Sequence, residues 1–214
     1  MTNDRRLYAI IDVDTCIARN LDVLEFARRV CEAGPRCVQL RAKRTSSRDT
    51  LALLNGLVAI ARPLDVPVYA NDRPDLAILS GADGVHVGQD DVPLEQVRAL
   101  GPTLSVGLST HDDADVRDAI ARKPDYIAIG PIYPTPSKTD HEGDIGLSGL
   151  ESAARLTRAA QVPLVAIGGI DKTRVRDVAR FADWICVIGA LVPPSGRLDD
   201  VTAHVKEFIA AIDE

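Results

Sequence analysis

Little in this chain marks a membrane protein, a disulfide scaffold or a nucleic-acid binder. No apolar stretch approaches the length of a bilayer span. The polar segment Met1–Arg6 is not followed by a hydrophobic leader of the right length, so no signal peptide is expected. The four cysteines, Cys16, Cys31, Cys37 and Cys186, include no C-x-x-C pair, which argues against a zinc site. Cys37 and Cys186 fall inside apolar runs, where a thiol behaves as a small hydrophobe. A reducing cytoplasm is the simplest compartment. Low-complexity composition is also missing: 46% of residues are hydrophobic and 26% charged, ordinary values for a globular protein. The formal net charge of −6 speaks against a general basic surface for nucleic acid. Any anion site must be local, made of a few placed cations and backbone N–H groups.

What is present is a rhythm. Eight short apolar runs, rich in Val and Ile, recur at Leu7–Asp12, Cys37–Lys43, Val66–Asp72, Gly84–Gly88, Leu104–Ser109, Tyr126–Gly130, Pro163–Gly169 and Trp184–Gly189. Between them lie stretches of helical periodicity, near Asp22–Ala33, Ser46–Ala61, Pro74–Leu79, Pro93–Leu100, His111–Arg122, Ser148–Ala160, Lys172–Phe181 and Asp199–Ile212. Pro74 and Pro93 are read as first-turn prolines, and Thr110 or Asp112 as the cap of the helix near His111. Eight strand-then-helix units predict an α/β fold, a (β/α)8 TIM barrel occupying residues 1–214 as a single domain. That fold builds its site at the C-terminal ends of its strands. One connection stands apart: Pro131–Gly149 runs about nineteen residues. Loops of that length in a compact domain are usually functional. We read Thr135–Gly146 as a lid over the barrel mouth, with Lys138 near its hinge.

The residues closing the runs carry the chemistry. Gln39, Arg41 and Lys43 alternate along one run, so they share a strand face, with Val38 and Leu40 on the other. Buried cations need a partner; an anion in the mouth and an internal salt bridge are the two solutions. Asn71 and Asp72 end the third run and Asp91 follows the fourth. Two carboxylates on neighbouring strands, completed by water and phosphate oxygens, are how proteins usually hold Mg²⁺. Asp91, or Asp90, could equally cap the helix near Pro93. His86 reads as a hydrogen-bonded core residue rather than a base. Ser109 is suited either to a phosphate contact or to a helix cap. We expect no acid to orient His111 as the base of a triad, which leaves a hydrolytic Ser/His pair unsupported. Gly168–Gly169 and Gly189–Ala190 follow the last two runs, where barrels often bind phosphate through backbone N–H groups.

The motifs Gln39–Lys43 (QLRAK), Asn71–Ala77 (NDRPDLA), Gly81–Asp91 (GADGVHVGQDD), Gly107–His111 (GLSTH), Gly130–Lys138 (GPIYPTPSK) and Ile167–Ile170 (IGGI) together resemble the thiamine phosphate synthase family over essentially the whole chain. The resemblance implies a transferase that couples 4-amino-2-methyl-5-(hydroxymethyl)pyrimidine diphosphate to a thiazole phosphate through a dissociative, Mg²⁺-assisted step. Carried over by motif, Asp72 and Asp91 bind Mg²⁺. Arg41, Lys43, Asn71, Ser109 and Lys138 hold the diphosphate, and Gln39 contacts the pyrimidine. Thr135, Ser137, Gly169, Ile188 and Gly189 hold the thiazole phosphate. One departure is Gly189, where the family pattern often carries serine. Three other readings stand beside this one: the sister thiazole tautomerases, which use a histidine at the position of His111; a non-catalytic thiamin-precursor binding or regulatory protein; and a generic phosphosugar isomerase, weakened because no acid/base pair is evident. Small-molecule partners are expected, with no nucleic acid and no membrane, and the oligomeric state is left open.

Overall fold

The computed structural model describes residues 5–135 and 143–213. Eight strands form a closed parallel barrel in chain order. They are β1 (Leu7–Asp12), β2 (Cys37–Arg41), β3 (Val68–Asn71), β4 (Gly84–Val87), β5 (Ser105–Thr110), β6 (Tyr126–Ile129), β7 (Leu164–Ile167) and β8 (Trp184–Val187). The ring closes where Tyr8 and Ala9 meet Cys186 and Val187. Around it run α1 (Val13–Ala18), α2 (Val23–Glu32), α3 (Ser47–Ala61), α4 (Pro74–Ser80), α5 (Leu94–Leu100), α6 (Asp113–Arg122), α7 (Gly146–Ala160), α8 (Val175–Ala179) and α9 (Leu198–Asp213). Among the described residues no helix is long and apolar enough to cross a membrane.

Strand side chains alternate between two apolar environments, which is why the runs read as continuously hydrophobic. Leu7, Ala9, Ile11, Val38, Leu40, Val85 and Val87 pack outward with the helices. Tyr8, Ile10, Cys37, Tyr69, Tyr126, Val165 and Cys186 fill the lumen. Tyrosine fits there because strand glycines make room: a Cβ on Gly107 would lie 2.0 Å from Cζ of Tyr126. Followed to the C-terminal ends, the inward series reaches Asp12, Arg41, Asn71, Ser109 and Gly169.

The opposite end is stitched by carboxylates. Asp83, Asp125 and Asp183, each preceding an even-numbered strand, accept the N–H of Val68, Val106 and Leu164 on the strand before. At the ring's seam Arg6 takes over: it donates to the carbonyls of Asp183, Ala179, Ala182 and Ile212. Arg36 stacks on Trp184 beside it, 4.1 Å from the ring centroid.

Several local expectations are corrected. α1 has no counterpart in the periodicity; it starts because Asp12 caps it, accepting from Thr15 N at 2.8 Å. Strand β2 ends at Arg41, so Lys43 lies past it. Pro93 is the cap residue of α5 rather than its first turn. Asp112, not Thr110, caps α6, accepting from Ala114 and Asp115. The helix expected over Lys172–Phe181 shrinks to Val175–Ala179 because Asp171 holds Thr173 and Arg174 in a turn before it.

Candidate active site

The barrel mouth brings together residues from five consecutive strands. On the β1–β2 side, Arg41 reaches Asp12, whose Oδ2 accepts from Nη1 at 2.6 Å. The other Asp12 oxygen accepts from the backbone and hydroxyl of Thr15 at 2.8 and 2.7 Å. Asp12 is only 5% exposed and fully engaged. It anchors Arg41 by one nitrogen and leaves the rest of the guanidinium's donors for the mouth. Of the two solutions open in the sequence, the internal salt bridge forms, and it does so without consuming the cation's hydrogen-bonding capacity.

On the β3–β4 side, Lys43 pairs with the Asp72 carboxylate. Asp72 sits in left-handed backbone, φ 62°, one of the few conformations of that kind a short acidic side chain tolerates. Its N–H donates to the His86 carbonyl at 2.8 Å, which fixes the turn off β3. Asp91 closes the loop after β4 by accepting the Gly88 N–H at 2.8 Å. It makes no cap bond to α5. Loss of water pushes the Asp91 carboxyl above its ordinary 3.8; the Gly88 N–H opposes this, and the neighbouring Asp72 carboxylate adds to it both by repulsion and by a shared hydrogen bond. The two carboxylates are therefore close enough to feel one another. Among the described residues no third His, Cys, Asp or Glu joins them. Such a donor set fits Mg²⁺, which binds through one or two carboxylates and takes its remaining oxygens from water and substrate phosphate.

Ser109, next to last in β5, has its hydroxyl 2.8 Å from His86 Nε2 and does not cap α6. His86 Nδ1 lies 3.0 Å from the Tyr126 hydroxyl, and the two rings stack. Gln39 is buried in the lumen and donates to the Tyr8 hydroxyl at 2.7 Å. Asn71, half-buried at the end of β3, pairs with His86 through the sheet, and its side-chain amide has no hydrogen-bond partner among the described residues. His111 does have an acid, contrary to the reading of the sequence: Asp115 accepts its backbone N–H at 2.9 Å and lies 3.5 Å from the ring Nδ1. The pair sits one helical turn apart, a spacing the sequence displays.

Across the mouth, the loop after β6 packs on the loop after β7. Ile132 and Tyr133 donate to the carbonyls of Ile167 and Gly168. Gly168 and Gly169 have φ of 101° and 64°, and a Cβ on Gly168 would fall 2.5 Å from Pro131 Cβ, so only glycine serves there. The far end of the long connection returns to its start: Ile145 and Gly146 donate to Pro131 and Ile132 carbonyls. Thr135 is described; Ser137, Lys138 and the rest of 136–142, the centre of the expected lid, lie outside the described residues. Ile188 packs against the lumen cluster, and Gly189, opening the 3-10 turn Gly189–Leu191, has open space where a Cβ would stand.

The sequence missed Asp12, because a lone acid at a strand end looks like a cap, and it is one. The expectation that His86 is a hydrogen-bonded core residue holds, but its partners Tyr126 and Ser109 were not foreseen, because tyrosines at alternate strand positions read as core.

Comparison with known proteins identifies the family. A family model described as Thiamine monophosphate synthase matches residues 7–191. The chain is 36% identical to "Thiamine-phosphate synthase" of Chloroflexus aurantiacus, over 98% of this chain and 93% of that protein. It is 40% identical to the protein of the same name from Albidiferax ferrireducens, over 87% and 84%. The solved structure "Thiamine phosphate pyrophosphorylase from Pyrococcus furiosus" superposes with a TM-score of 0.84 at 29% identity, covering 99% of this chain and 96% of that one. On these matches the chain belongs to the thiamine monophosphate synthase family and is an enzyme, a transferase of thiamine biosynthesis.

Proposed function

We propose that the transferase displaces diphosphate from the aminopyrimidine methylene carbon and joins that carbon to the ring nitrogen of a thiazole phosphate. The C–O bond to diphosphate breaks and its electron pair leaves with the diphosphate. The nitrogen lone pair then forms the new C–N bond, giving a thiazolium phosphate. Such a step needs neither a general base nor a covalent nucleophile. It needs charge stabilisation on the leaving group and few water molecules near the carbocation.

The observation that carries this reading is the Arg41, Lys43, Asp72 and Asp91 cluster on one rim. Arg41 stays oriented by Asp12 while it offers further N–H groups to an anion. Lys43 can exchange its contact with Asp72 for a phosphate oxygen. Asn71 and Ser109 flank the same rim with neutral donors. Asp72 and Asp91 would hold Mg²⁺, which when bound neutralises phosphate charge. Gln39 would bind the pyrimidine deepest, against Tyr8. Thr135, Gly169, Ile188 and Gly189 line the opposite rim, where backbone N–H groups suit a monophosphate. Four free, buried cysteines favour a cytoplasmic setting.

The test is formation of thiamin phosphate from the two purified precursors, with Mg²⁺ and with excess chelator. Turnover with Mg²⁺ and its loss in chelator are expected; undiminished turnover in chelator would overturn the role given to Asp72 and Asp91.

A further inference from the structure

Five side chains join in one hydrogen-bonded row across the lumen, from β2 to β5. Gln39 Nε2 donates to the Tyr8 hydroxyl at 2.7 Å, and the Tyr8 and Tyr126 hydroxyls are 2.9 Å apart. Tyr126 lies 3.0 Å from His86 Nδ1, and His86 Nε2 lies 2.8 Å from Ser109 Oγ. The row has a direction. An amide nitrogen only donates, so the Tyr8 oxygen accepts from Gln39. Tyr8 is 1% exposed and, among the described residues, its hydroxyl has no hydrogen-bond partner other than Gln39 and Tyr126. Its proton must go to the Tyr126 oxygen, because a buried donor left unpaired is costly. Tyr126 then has its own proton to place, and His86 Nδ1 is the acceptor in reach. That leaves Nδ1 bare and puts the ring proton on Nε2, which donates to Ser109.

We infer that His86 is a positioning residue whose Nε2–H holds the Ser109 oxygen as an acceptor, leaving the Ser109 hydroxyl hydrogen to bond an anionic oxygen in the mouth. This is the reverse of a hydrolytic pair, in which an acid holds Nδ1–H and Nε2 withdraws the serine proton. A phenol that must donate stands where that acid would be. The same row ties Gln39 to Ser109, so both ends of the substrate meet one rigid chain of bonds. The inference rests on the proposed placement of diphosphate beside Ser109, but the ring proton can be read without it.

The experiment has two parts. Histidine ¹⁵N spectra of the wild-type protein, with His86 assigned through its stacking contact with Tyr126, are expected to show the proton on Nε2 and Nδ1 bare. Tyr126→Phe is expected to lose that single state. In turnover, His86→Leu and Ser109→Ala are each expected to weaken kcat/KM for the diphosphate substrate about tenfold or more. His86→Leu should cost nothing further in the Ser109→Ala background, and His86→Gln, whose amide can still donate to Ser109, should restore most of the loss. A proton on Nδ1, or on both nitrogens, overturns the inference. So does a His86→Leu effect that persists in full without the serine, which a merely structural role would give. Wild-type protein that fails to couple the two precursors would overturn the proposed function instead, and the spectra would still decide the direction of the row.

Discussion

Removing one carboxylate from the rim should stabilise the metal-free protein while destroying its response to magnesium. In Asp91→Asn the amide oxygen can still accept the Gly88 N–H, now 2.8 Å from Oδ2, and the amide nitrogen can donate to Asp72. A contact that repels unless the two acids share a proton thus becomes a hydrogen bond that needs no extra proton. Two unit charges about 4 Å apart repel by about 4 kcal/mol at an effective dielectric of about 20. Lys43 beside Asp72 and solvent at this half-exposed rim cut that to about 1 kcal/mol. For a chain of this size about 1 kcal/mol moves Tm by about 2–4 °C. The pH sign follows from the raised Asp91 carboxyl: between 3.8 and its raised value the folded protein binds the extra proton, so stability falls as pH rises through that window. Thermal melts in chelator should therefore show Asp91→Asn above wild type at neutral pH, with the difference shrinking in acid. Added Mg²⁺ should raise Tm of wild type and not of the variant, and turnover should drop steeply. A metal-free Tm below wild type, or an equal Mg²⁺ response in both proteins, would refute the facing-carboxylate reasoning.

Arg41→Ala should lower kcat by about 10²-fold or more, the loss typical of one preorganised charge-stabilising donor; a near wild-type kcat would remove Arg41 from the diphosphate site. His111→Ala should leave coupling mostly intact despite its contact with Asp115, and steady-state turnover of the purified variant measures this directly. Gly189→Ser should fold with unchanged Tm, since a Cβ there meets nothing within 4 Å, and should lower KM for the thiazole phosphate if an added hydroxyl reaches the phosphate. A raised KM would mean that the backbone at Gly189 must approach the ligand more closely than a side chain allows.

The barrel was legible because its strands are buried on both faces, so each run announces itself by hydrophobicity alone. All eight strands fall within the expected runs, give or take a residue or two at the ends. The two-residue period also placed Gln39 and Arg41 on the inner face, with Val38 and Leu40 outside. What escaped were features whose signal is not periodic. α1 owes its start to the Asp12 cap and is too short to show a stripe. Asp12 itself binds a residue 29 positions away, a pairing no local pattern reports. The His86–Ser109 contact joins neighbouring strands, with Ser109 two residues beyond Gly107, the register partner of His86, and which polar pair would meet depended on glycines opening the lumen for Tyr126. Asp115, by contrast, stood one turn from His111 and was there to be read.

The seam between the first and last strands imposes an order on synthesis. β1 has β8 as one of its two partners, so that edge stays bare until Trp184–Val187 have left the ribosome. The Arg6 latch onto Ile212 waits longer still. Through most of translation the nascent sheet is an open crescent with an unsatisfied apolar border, the kind of edge on which stray strands dock. Chaperone demand and misassembly should therefore concentrate in the final stretch of the chain.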